Sequence, residues 1–177
     1  KLDIVQNFIR SLVQLELHML GENEAIKAVT PHVKMLCEDP VWSCLDVPSC
    51  KKETIYLLYA GDDTNLMIFI GAWPSDGKNN HIHDHDTWSV IGSLVGHEIN
   101  HIWRRVDDCT KPSYCELEYI EKVDLIPGSV YSQSCSAIHS IENPAPDEGV
   151  AISLHVYGKD LRSTRRYIYL PEEKTAY

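Results

Sequence analysis

Three histidines alternate in Asn80-His81-Ile82-His83-Asp84-His85, and a second polar alternation, Ser153, His155 and Tyr157, stands late in the chain. On an extended segment every second side chain shares a face. Either neighbouring histidine pair could therefore grip one metal ion, and spacing alone does not choose between them. Imidazole suits iron, zinc, copper and nickel alike. By the same rule Ser153, His155 and Tyr157 point to one side of a strand and can form a hydrogen-bonded chain ending in a phenol hydroxyl. Each pattern has a bland counterpart. A histidine-rich stretch is often a polar surface turn, and a half-buried strand can alternate by accident. The presence of both patterns in one chain favours the chemical reading.

The surroundings of the histidines resemble the first cupin motif, G-x5-H-x-H-x3-E-x6-G, as Gly77, His83, His85, Ser89 and Gly96. The resemblance selects His83 and His85, and it places Ser89 where many cupins carry a glutamate ligand. The second cupin motif ends H-x3-N, which His139 and Asn143 fit. Upstream of it only Pro127-Gly128 matches, and the loop that follows is longer than the pattern. The implied ligand set is His83, His85 and His139: three neutral imidazoles, no carboxylate, and open positions of the kind a catalytic metal needs.

Cupins with three histidines and a small residue at the glutamate position resemble the thiol dioxygenases. Ile82-His83-Asp84-His85 is similar to their I/V-H-D-H signature, and Thr87-Trp88-Ser89-Val90-Ile91-Gly92 to a T-W-G-V-I-G run. Ile138–Asn143 and the Ser153-His155-Tyr157 triad complete the likeness, which runs from Asn65 to Arg166. It implies catalytic roles for Tyr157, His155 and Ser153, with the tyrosine hydroxyl contacting oxygen or substrate near the metal. Ser89 also replaces the cysteine that crosslinks to the triad tyrosine in mammalian cysteine dioxygenases, so Tyr157 has no such crosslink there.

The arginines separate the subfamilies. Mammalian-type cysteine dioxygenases hold the substrate carboxylate with an arginine upstream of the His-x-His, and this chain has none between Arg10 and Arg104. The 3-mercaptopropionate dioxygenases use one nine positions after the triad tyrosine, which here is Arg166. A guanidinium fork there can hold a carboxylate at two points; the alternative is a surface arginine in the run Arg162–Arg166. The resemblance thus implies Fe(II), O2 and a small carboxylate-bearing thiol oxidised to its sulfinic acid. 3-Mercaptopropionate is the default, with cysteine, mercaptosuccinate and ergothioneine open. The rival readings are a zinc or nickel cupin isomerase or hydrolase, and a small-molecule or metal sensor.

Elements must position these residues. Ile4, Phe8 and Leu12 repeat at helical spacing, and Gly21 is expected to end that helix. A second helix is expected from Glu22 to Leu36, with Pro31 inside it. After the Cys37–Lys52 connector the texture turns to short β-rich runs: Thr54–Tyr59, Asn65–Trp73, Trp88–Val95, Ile99–Arg105, Glu116–Val123, Ser129–Tyr131, Gly149–Tyr157 and Arg165–Leu170. The expected architecture is one mainly β cupin domain over 1–177, a double-stranded β-helix barrel (53–170) behind a helical N-terminal segment (1–37).

The bulk numbers fit that picture. The chain has 177 residues, 44% of them hydrophobic, enough for a core without disulfide staples. Its net charge of -10 disfavours nucleic acid and anionic membranes as partners, leaving a small thiol and O2. Six cysteines with no C-x-x-C pair read as reduced thiols of a cytoplasmic protein, although Cys109 and Cys115 flank one loop and could pair. The Cys37–Cys50 connector and the Asp107–Cys115 loop are candidates to shape the pocket mouth, Cys135 to line the pocket, and His81 to support the ligands.

Overall fold

The computed structural model describes residues 2–48, 50–75, 80–145 and 149–177. Among these residues two helices, α1 (Leu2–Val13) and α2 (Glu22–Cys37), lead into eleven strands: β1 (Thr54–Ala60), β2 (Met67–Pro74), β3 (Ile82–His83), β4 (Ser89–Val95), β5 (Glu98–Arg105), β6 (Leu117–Leu125), β7 (Val130–Gln133), β8 (Ile138–Glu142), β9 (Val150–Tyr157), β10 (Ile168–Leu170) and β11 (Thr175–Ala176). They form two antiparallel sheets, ordered β1-β2-β9-β4-β7 and β11-β10-β3-β8-β5-β6. The chain changes sheet at every step from β2 to β5, turns back through the β5–β6 hairpin, and changes sheet at every step again from β6 to β9. This is the jelly-roll winding of a double-stranded β-helix. The chain is therefore mainly β with a cupin-type barrel and two N-terminal helices.

Alternation within each strand separates two interiors. On β9, Leu154 and Val156 face outward and pack with Val90 and Leu94 of β4 against Val29, Val33 and Leu36 of α2. The residues between them, Ser153, His155 and Tyr157, are buried on the opposite face, inside the barrel. The helices thus supply an apolar cover for one sheet, so that its other face can carry polar groups. Close approach of α2 depends on Gly92, where a Cβ would collide with Cys37 Sγ and Val33 Cγ1.

The N-terminus departs from expectation. Helix α1 stops at Val13, and Glu16 adopts a left-handed conformation (φ 48°) before a short 3-10 turn at Leu17–Met19. Gly21 does not end α1 but caps the start of α2, its N–H donating to Glu24 Oε2 at 2.9 Å. The Arg165–Leu170 run is strand only from Ile168, since β10 must pair with the two-residue β3. Strands β8 and β11 fall outside the expected runs, and the extended stretch about the histidines is strand only at β3, Ile82–His83. Strands β3 and β8 carry His83 and His139, and their polar residues hide the usual apolar signal.

Candidate metal centre

Strand β3 is held between β8 and β10, and in this ladder His83 lies directly opposite His139. His85 follows β3 immediately. The backbone pairing, rather than the spacing of the histidines, thus brings in the third imidazole from a distant part of the chain. Ring nitrogens of His83, His85 and His139 all lie within 4.8 Å of one another. The Nε2 atoms of His83 and His85 are 3.1 Å apart, and the ring centroids are separated by 4.7 to 5.0 Å. Burial lowers the pKa of all three; the neighbouring His83 adds to this at His85 and His139, and Arg166 at His83 and His85. Each ring is therefore held neutral, the form that ligates a metal.

Two of the rings have their inward nitrogen selected by a bond at the other one. His83 Nδ1 donates to the His81 carbonyl at 2.6 Å, and His139 Nδ1 donates to Asn100 Oδ1 at 2.7 Å. Nε2 of each is left as a lone pair. His139 Nε2 is fully buried and has no hydrogen-bond partner among the described residues. A buried acceptor left unmatched costs free energy unless something fills the site. Three convergent neutral imidazoles with one such orphan fit a divalent transition metal. Ser89 brings no carboxylate to the cluster, and its hydroxyl donates to Gln133 Oε1 at 3.0 Å.

The polar chain on β9 is continuous. Trp73 Nε1 donates to Ser153 Oγ at 2.8 Å; Ser153 Oγ meets His155 Nε2 at 2.8 Å; His155 Nδ1 meets the Tyr157 hydroxyl at 3.2 Å. That hydroxyl ends 3.4 Å from His85 Nε2. Phe69 of β2 stacks on both rings, with centroids 4.7 Å from His155 and 5.4 Å from Tyr157, and fixes their plane. Burial lowers the His155 pKa to about 3 and raises that of Tyr157, so both stay neutral at physiological pH.

The three histidines, His155 and Tyr157 line one cavity of about 590 Å³, whose walls include the apolar side chains of Phe69, Ile141 and Leu161. Arg166 reaches it from the loop before β10, and its positive charge contributes to lowering the pKa of His83, His85 and Tyr157. It makes no ion pair among the described residues, whereas Arg162 is paired with Asp160. Asp84, between two of the histidines, anchors that loop: it accepts from Tyr167 N–H at 2.9 Å and from the Tyr169 hydroxyl at 2.6 Å.

Other expectations resolve differently. Gly77 lies outside the described residues. His81 is exposed at the cavity mouth and serves His83 through its carbonyl. Asn143, which completes the second motif, organises a turn by donating to the Trp73 and Gly149 carbonyls. Neither the Cys37–Cys50 connector nor the Asp107–Cys115 loop supplies a described lining residue, and Cys135 is exposed beside Glu22 instead. His101 of β5 is bonded to Glu142 of β8 at 2.7 Å. All six cysteines are free thiols. Asn100, Asp84 and Phe69 went unrecognised as site residues; only Asp84 had a local signal, its place inside the histidine motif.

No family model matches the chain. Among solved structures it is similar to a cupin superfamily protein from Desulfitobacterium hafniense (17% identity, 69% of this chain and 90% of that one, TM-score 0.46). It is also similar to the DMSP lyase DddQ from Ruegeria pomeroyi (17%, 68% and 53%, 0.48). A third is an RmlC-like cupin family protein with a double-stranded β-helix fold from Methanocaldococcus jannaschii (11%, 67% and 90%, 0.46). The chain spans about half the length of the DddQ chain, and these likenesses assign it no activity.

Proposed function

We propose that this protein is a thiol dioxygenase, which oxidises a small carboxylate-bearing thiol with O2 to its sulfinic acid. The observation that carries the reading is the Ser153–His155–Tyr157 chain, whose terminal hydroxyl lies 3.4 Å from a histidine of a carboxylate-free three-histidine cluster. The motif resemblance supports the same conclusion. His83, His85 and His139 would hold Fe(II), which supplies the redox chemistry by which O2 adds to a thiol sulfur. The balance is simple: R–SH and O2 give R–SO2H, with no further reductant.

The chain's own residues do the rest. Three neutral imidazoles leave the full positive charge of a divalent ion uncompensated, which favours the thiolate over the thiol. Arg166 pairs with the substrate carboxylate and fixes the distance from carboxylate to sulfur. The place of Arg166, nine positions after Tyr157 as in the 3-mercaptopropionate dioxygenases, makes 3-mercaptopropionate the default substrate. Tyr157 donates a hydrogen bond into the cavity, and Phe69, Ile141 and Leu161 limit water around the reacting atoms. A small thiol and O2 suffice as reactants, and the net charge of -10 gives nucleic acid no purchase. No helix is long and apolar enough to cross a membrane; six free thiols suit the reducing cytoplasm.

The deciding experiment is aerobic incubation of the Fe(II)-loaded protein with a panel of small thiols, read by mass spectrometry under labelled O2. The expected product carries two labelled oxygen atoms on one carboxylate thiol. Iron-loaded protein that gives no such product from any thiol would eliminate the reading in favour of a non-oxygenase cupin chemistry.

A further inference from the structure

Glu98 opens β5 on its inward face and is 1% exposed. A carboxyl group that deep in a barrel requires an explanation. Its Oε1 accepts from Asn100 Nδ2 at 2.7 Å, and Asn100 in turn accepts from the His139 ring at 2.7 Å. Its Oε2 is buried with no hydrogen bond among the described residues. The Ser153 hydroxyl and the Trp73 indole nonetheless face the same carboxyl closely enough to moderate its pKa, which burial raises. No charged group is among those acting on it. Glu98 therefore stands between two networks, the support of a metal-site histidine on one side and the start of the tyrosine chain on the other.

Hydrogen-bond direction shows what this placement does. A neutral carboxyl accepts at Oε1 and can donate from Oε2 to Ser153 Oγ. Ser153, already accepting from Trp73, must then donate to His155 Nε2. His155 donates from Nδ1 to the Tyr157 oxygen, and the phenol hydrogen is left pointing into the cavity. An ionised carboxylate would accept from Ser153 instead. Every later bond would reverse, and Tyr157 would spend its hydrogen on His155. One proton on one buried oxygen thus selects which end of the chain donates.

We propose that Glu98 is a positioning residue that acts as a neutral acid, bracing His139 through Asn100 and aiming the Tyr157 hydroxyl into the cavity through Ser153 and His155. The proposal rests on the dioxygenase reading only for what the aimed hydroxyl serves; the Trp73–Ser153–His155–Tyr157 contacts are those of the structure, and the bond from Glu98 Oε2 to Ser153 belongs to the proposal.

The test uses Glu98→Gln and Glu98→Leu in the full chain, metal-free and loaded with Zn(II), without thiol or O2. Glutamine reproduces both bonds of the neutral acid, accepting from Asn100 and donating to Ser153; leucine reproduces neither. Three measurements are made: Zn(II) affinity by chelator competition, the tautomers of His139 and His155 by nitrogen-15 NMR, and the infrared carbonyl band of a protonated carboxyl. Wild type at neutral pH is expected to show that band, and Glu98→Gln to lose it. The glutamine variant should keep Nδ1-protonated His139 and His155 and near-normal Zn(II) affinity. The leucine variant should lose about 10- to 100-fold in affinity, the usual cost of removing such support, and lose the His155 tautomer. Absence of the band in wild type, or a glutamine variant as impaired as leucine, would overturn the neutral-acid assignment. If leucine fails to fold, the band and the glutamine variant still decide. No readout involves sulfur oxidation, so a failed dioxygenase assay leaves the role of Glu98 standing.

Discussion

Arg166 is exposed at the cavity mouth with no carboxylate partner among the described residues, while its neighbour Arg162 is committed to Asp160. If its role is to hold a substrate carboxylate, Arg166→Ala should act on selectivity. A two-point charged contact is worth about 1.5 to 3 kcal/mol, so kcat/KM for a carboxylate thiol should fall roughly 10- to 150-fold. A thiol of similar size without a carboxylate should be little affected. A loss equal for both would remove Arg166 from substrate recognition. His139→Ala should abolish stoichiometric metal retention, measured by elemental analysis on the purified folded variant; full retention would break the ligand assignment. At this scale much of the site was legible. Alternation exposed His81, His83, His85, Ser153, His155 and Tyr157, because a strand converts spacing directly into facing, and the motif resemblance then chose His83 and His85. Asn100 and Glu98 were illegible, because their roles arise from pairing β5 with β8 and from the packing of β2 and β9 beside it, which no local pattern records.

Among the elements, α2 and β4 show how the helical segment serves a site it does not touch. Strands with Ser153, His155 and Tyr157 on their inner face can be stable only if their outer face is covered, and Val29, Val33 and Leu36 provide that cover. Gly92 sets the distance of approach. Gly92→Ala should overpack the seam against Cys37 and Val33 and destabilise the fold by about 1 to 3 kcal/mol. The measurement is the midpoint of denaturant unfolding, with Zn(II) affinity as a control expected to change little. An unshifted midpoint would mean that α2 can yield at no cost. The long strands and α2 were readable from apolar runs and turn residues. Strands β3 and β8 were not: the first has only two residues, and the second is exempt from the apolar pattern because His139 and Ser140 lie fully buried within it. The end of α1 was misplaced because Gly21 is equally suited to begin a helix.

For the molecule as a whole, burying neutral histidines couples the fold to pH. His155 has its pKa lowered from 6.5 to about 3, and His83, His85 and His139 are lowered as well, all chiefly by burial. Below pH 6.5 the unfolded chain takes up protons that the folded chain refuses. Stability therefore rises with pH in this window and is lost as pH falls from 6.5 toward the folded values, by up to about 1.4 kcal/mol per pH unit for each proton. Glu98 has the opposite sign: its raised pKa makes its contribution complete below 4.5 and lost as pH rises through the folded value. The hydrogen-bonded carboxylates Asp107, Asp108, Glu116 and Asp160 have lowered pKa values, so their contributions begin to disappear only near and below their ordinary range. Between pH 6.5 and 5 the four lowered histidines thus outweigh the opposite contributions of Glu98 and Glu53, whose pKa values burial raises. Metal-free protein should show a falling melting temperature across it at constant ionic strength. His155→Gln, which removes one titrating group but keeps a polar side chain, should flatten the slope, whereas an unchanged slope would mean that His155 is not buried in its neutral form. Metal-loaded protein should start from a higher melting temperature at pH 7, because only neutral imidazoles bind the ion. It should converge on the metal-free curve as acid releases the metal, so the separation between the two curves reads out the proton competition at the three-histidine site.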